Sequence, residues 1–74
     1  MSKARDKFVH LAESRTNKLL KDIALLSNLS NRTNYSYTEQ DVEKIFKAIK
    51  LALKGCEQRF EIAQKTSRKH DFKL

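Results

Sequence analysis

Apolar residues recur along the first third of the chain at alternating steps of three and four. Val9, Ala12, Thr16, Leu19, Ile23 and Leu26 follow a heptad a/d spacing, with Thr16 as a polar member, and Phe8 and Leu20 widen the stripe. A turn of 3.6 residues brings these positions to one side, so the spacing predicts an amphipathic helix over residues 2–26. The rhythm returns at Val42, Ile45, Ile49, Ala52 and Cys56, broadened by Phe46, Leu53, Phe60 and Ala63, and predicts a second helix over 39–64. Tyr37-Thr38-Glu39-Gln40-Asp41-Val42 carries a full start signal for that helix. Thr38 can cap the first free N–H groups, Asp41 three residues on can close a capping box, and Tyr37 can staple onto Val42.

Residues 27–37 form a polar loop rich in Ser, Asn and Thr, whose side chains bond the backbone locally and so favour turns. Asn28-Leu29-Ser30, Asn31-Arg32-Thr33 and Asn34-Tyr35-Ser36 match the glycosylation acceptor pattern in tandem. No secretory signal accompanies them, so they are expected to serve as Asx turns, with Leu29 and Tyr35 holding the loop against the helix ends. In residues 65–74 the period is lost, and a frayed, flexible basic tail is expected there.

Two amphipathic helices of similar length joined by such a loop pack antiparallel most easily, so the expected fold is all-α, an antiparallel helical hairpin over residues 1–64. Ile23 and Ile49 should then lie out of water. A chain of 74 residues makes a thin core on its own. Cys56 is the single cysteine, which excludes an internal disulfide, and no Cys/His cluster offers a metal site. Homodimerisation into a four-helix bundle is therefore expected, with Cys56 in the core as a small hydrophobe. There is no proline, and the one glycine, Gly55, lies inside the second helical pattern. The start, Met1-Ser2-Lys3-Ala4-Arg5, opens no apolar run of the length of a signal peptide or membrane span. The expectation is a cytoplasmic protein of bacterial, phage or plasmid context, not bound to membrane.

Charge changes this picture more than composition does. The net charge is +7, and the basic excess falls on the first helix and the tail, whereas the second helix is balanced. Such a distribution suits nucleic acid or an acidic protein surface, and equally an ordinary solvated exterior. On the first helix Lys3, Lys7, His10, Ser14, Asn17 and Lys21 run down the side away from the apolar stripe, next to Leu11, Arg15 and Lys18. In the nucleic-acid reading Lys3, Lys7, Arg15, Lys18 and Lys21 contact phosphates, and Leu11 and Asn17 add shape and hydrogen bonds. Arg68 and Lys69 in the tail add affinity without sequence choice. In a second reading Leu11, Leu25 and Tyr35 anchor a partner protein, with the basic groups at the rim. Lys47, Lys50 and Lys54 form a weaker stripe on the second helix, partly neutralised by Glu43 and Glu57. His10 and His70 lie far apart and no carboxylate pair stands out, so no enzyme, cofactor, metal or small-molecule substrate is expected.

Ser14-Arg15-Thr16, Leu19-Leu20 and Leu26 on the first helix, with Cys56 and Arg59-Phe60 on the second, resemble the repressor-of-primer proteins of plasmids over about two thirds of the chain. That resemblance implies antiparallel hairpins that dimerise into a four-helix bundle and bind paired RNA loops, with Lys7, Leu11 and Arg15 at the RNA-facing positions. Asp22 falls where that family carries a lysine. The expected function is regulatory binding of structured nucleic acid, RNA before DNA. The alternative is a phage- or plasmid-type inhibitor or adaptor acting on a larger protein or nucleoprotein machine, and a purely structural oligomerisation module is a third possibility.

Overall fold

A computed structural model of the chain describes residues 2–70, with side chains described over 2–65. The described residues are all-helical, with two α-helices, one short 3-10 turn and no strand. The chain divides into two units, Met1–Ser36 and Tyr37–Leu74, and each is described by itself.

In the first unit α1 spans Lys3–Ser27, 25 residues without a break. Ser2 is its cap: the backbone there is extended, and the hydroxyl oxygen accepts a hydrogen bond from the Arg5 N–H at 3.1 Å. The Ser2 carbonyl accepts the first helical bond, from Asp6 N–H at 3.1 Å. Asp6 also places a negative charge in the first turn, where the helix dipole favours it. The Arg5 guanidinium sits 5.9 Å from the centroid of the Phe8 ring, at the outer range of a cation–π contact. At the far end the Ser27 hydroxyl donates back to the Ile23 carbonyl at 3.1 Å, and the Asn28 N–H points to the Leu25 and Leu26 carbonyls. The backbone tightens into a 3-10 turn over Asn28–Ser30 before Asn31 turns extended.

Asn31 then organises the loop as the tandem Asn motifs predict. Its side-chain oxygen accepts from Thr33 N–H at 2.9 Å, which is an Asx turn, and its carbonyl accepts from Asn34 N–H at 3.2 Å and Tyr35 N–H at 3.0 Å. Leu29 and Tyr35 remain exposed, so the expected anchoring of the loop by these two side chains is not seen within this unit.

In the second unit α2 spans Glu39–His70, 32 residues. Its start is a reciprocal capping box. Thr38 Oγ1 accepts from Asp41 N–H at 3.1 Å, and Asp41 Oδ2 accepts from Thr38 N–H at 2.9 Å. The Thr38 carbonyl takes the first helical bond, from Val42 N–H at 3.2 Å. Tyr37 and Val42 are both half-buried, as a hydrophobic staple requires. The helix passes through Gly55 without a positive φ. It also runs through His70, six residues past the Gln64 end expected from the apolar period. Loss of that period removes an apolar face but not the backbone bonds, and no proline or glycine follows Gly55 to stop the helix.

The burial expected for the two apolar stripes is not seen among the described residues. No side chain of either apolar stripe is buried: Ile23 is 45% exposed and Ile49 36%. Cys56, expected in a core, is an exposed thiol. The reason is geometric, since an amphipathic helix cannot cover its own stripe and needs another surface laid against it.

Two outcomes follow for stability. Thr38→Ala or Asp41→Ala should each cost about 1 kcal/mol, and the double variant less than their sum because the two bonds act together, as read from urea unfolding followed by helical circular dichroism. Gly55→Ala should stabilise α2 by about 1 kcal/mol, since a Cβ there meets nothing within 4 Å and φ is compatible with any residue.

Candidate nucleic-acid interface

Because α1 is continuous, its side chains can be placed by the helical step of about 100° and 1.5 Å per residue. Lys3, Lys7, Arg15, Lys18 and Lys21 then share a sector of about 120°, spread over about 27 Å of axis. All five are exposed. Asp22 is the one carboxylate that falls inside the sector, while Asp6 and Glu13 lie to its side. Asn17 is exposed close to the sector's edge, where a carboxamide can both donate and accept. The seven α1 residues assigned to nucleic-acid contact therefore stand on one unbroken element, and a phosphate backbone running along that face would meet cations at nearly every turn.

Leu11 departs from the picture of an exposed apolar residue among bases. It is half-buried. Lys7 and Arg15 stand one turn away on either side, and aliphatic stems of this kind lie along an apolar neighbour while their charged ends stay in water. Leu25, by contrast, is 59% exposed on the same side of α1, and Tyr35 in the loop is 48% exposed. Of the three residues assigned to partner docking, Leu25 and Tyr35 thus keep a free apolar surface and Leu11 keeps part of one. Arg68 and Lys69 fall on the helical backbone of α2, but their side chains lie outside the described residues.

Shallow grooves, open to solvent, mark both helices. One on α1, about 460 Å³, is lined by Arg5, Asp6, Val9, His10 and Glu13. It gathers an imidazole and two carboxylates, yet among the described residues no three His, Cys, Asp or Glu side chains converge as metal ligands do. On α2 one groove of about 370 Å³ runs past Cys56, Arg59, Phe60 and Ala63, and another of about 570 Å³ past Val42, Glu43, Phe46, Lys47, Lys50, Leu51 and Lys54. No helix among the described residues is long and apolar enough to cross a membrane.

The last of these grooves includes a residue outside both apolar stripes. Leu51 is 61% exposed, and Ile62, eleven residues on, is 63% exposed. Both fall on the side of α2 turned away from Ile49 and Cys56, since 100° per residue carries Leu51 about 160° from the centre of that stripe. The signal was present in the sequence as a second row at heptad steps, Ala48, Leu51, Gly55 and Ile62, offset from the main one. Comparison with known protein families, with curated proteins and with solved structures gives no match to this chain.

Proposed function

We propose that this chain binds structured nucleic acid, RNA in preference to DNA, through the basic face of α1, and acts as a small cytoplasmic regulator. The observation that carries the reading is the exposed row of Lys3, Lys7, Arg15, Lys18 and Lys21 on one unbroken helix, with a single carboxylate among them. Cations in this number release condensed counterions from a nucleic acid, which supplies affinity without requiring a shaped pocket. Asn17 adds a hydrogen-bonding group at the margin, and Arg68 and Lys69 add charge. The preference for paired RNA follows the repressor-of-primer-like residues Ser14-Arg15-Thr16 and Arg59-Phe60.

In the same proposal the two units close as an antiparallel hairpin and two chains pair as a four-helix bundle. Support comes from the apolar stripes of α1 and α2, which are too long and too greasy to remain in water and carry the a/d rhythm that bundles use. Covering them leaves the basic sector of α1 outward. A second reading, docking of the chain on a larger protein machine, is favoured by the exposed Leu25 at the far end of that face and the exposed Tyr35 in the loop.

Titration against an RNA hairpin and a DNA duplex over a range of salt concentrations tests the proposal. Four or five phosphate contacts predict a slope of log affinity against log salt of about −4 on duplex DNA, and Lys18→Ala should reduce its magnitude by about 1. Absence of binding at low salt ends the nucleic-acid reading. If Leu25→Ser abolishes activity while Lys18→Glu leaves it intact, the docking reading takes its place.

A further inference from the structure

Leu51 is the most exposed leucine among the described residues, and its surroundings are unlike those of the apolar stripes. One turn away along α2 stand Lys47 and Ala48 on one side and Lys54 and Gly55 on the other. Lys44 lies two turns before it and Gln58 two turns after, on the same side. No carboxylate occupies any of these positions. Leu51 is thus an apolar knob flanked by lysines, with Glu43 and Glu61 at the margin of the patch. The groove beside it has an apolar floor at Val42 and Phe46 and polar walls at Lys47, Lys50 and Lys54, with Glu43 as the one carboxylate at its near end.

Gly55 adds to the shape. A glycine in a helix interior costs about 1 kcal/mol relative to alanine, and here it opens space next to the knob, since a Cβ would meet nothing within 4 Å. About 16 Å further along the same side stands Ile62. A knob, a depression and a second knob in line along a helix suit a rod laid alongside better than a flat surface or a small molecule.

We propose that this side of α2, centred on Leu51, is a docking site for an acidic amphipathic helix of a partner protein. The partner sets apolar side chains against Leu51 and Ile62, its backbone approaches over Gly55, and its carboxylates meet Lys44, Lys47 and Lys54. Charge complementarity selects this occupant. A second copy would offer either the basic α1 or the mixed-charge α2, and neither presents an acidic face to Lys44, Lys47 and Lys54. Nucleic acid would use the lysines but leave the Gly55 depression and Ile62 unmatched. The site is separate from the α1 face and does not depend on what that face binds.

The full chain can be tested with a labelled synthetic helix bearing leucines at heptad positions and glutamates elsewhere, followed by fluorescence anisotropy. Binding should be clear at low salt and weaken as salt rises. Leu51→Ser should lower affinity about tenfold, as loss of an apolar anchor does, and the double reversal Lys47→Glu, Lys54→Glu should lower it at least as much. An unlabelled peptide of equal charge with serines in place of leucines should compete poorly. Helical circular dichroism checks that each variant stays folded, and a lysine-bearing peptide provides the control for charge sign. The proposal is overturned if the probe fails to bind the unaltered chain, if the leucine-free peptide competes equally well, or if Leu51→Ser binds as the parent does. It is equally overturned if Leu51→Ser instead lowers the oligomeric mass in sedimentation, which would make this side a self-interface, or weakens binding of a nucleic-acid duplex.

Discussion

A single amphipathic helix cannot keep its own apolar side dry, and every other feature of this chain is arranged around that constraint. The central rows of both helices, from Leu19 and Ile23 on α1 to Ile45 and Ile49 on α2, are exposed over a third or more of their surface. Such rows drive association more strongly than any individual hydrogen bond here, because apolar burial is the largest favourable term and exposed hydrogen bonds compete with water. In the proposed hairpin and dimer, covering those rows decides which side of each helix is left to meet anything else.

The local structure was legible because its causes are local. Thr38 and Asp41 stand three residues apart, and that spacing alone brings each side chain to the other's backbone N–H. Asn31 binds Thr33 two residues on, again within reach of its own short side chain. The start of α1 also fell within a residue of its expected place, although the role of Ser2 as its cap emerged only with the structure. Periodicity located both helices for the same reason, since it reflects neighbours three and four residues apart.

What was not legible has causes outside such windows. An a/d pattern states that a stripe wants cover, but not what supplies it, so the buried state expected for Ile23, Ile49 and Cys56 is absent from the described chain. The end of α2 was placed at Gln64 on the apolar rhythm, whereas backbone bonding continues to His70 through residues that have no reason to break it. Leu51 and Ile62 belong to a weaker apolar row at a different offset, which the dominant row outweighs in the periodicity. On the basic side of α1 the placement of the five cations follows from spacing alone, whereas spacing does not encode the half-burial of Leu11.

The side-chain caps on both helices bear on the timing of assembly. Nucleation is the costly step in making a helix, and Ser2 on one and the Thr38–Asp41 pair on the other lower that cost from within each segment. At 25 and 32 residues both rods exceed the length at which fraying dominates, and relaxation between coil and helix takes about a microsecond or less. Diffusive encounters at cellular concentrations are far slower than that. In the proposed assembly, winding of the chain is therefore not the slow step, and orientation and charge steering set the rate at which partners meet.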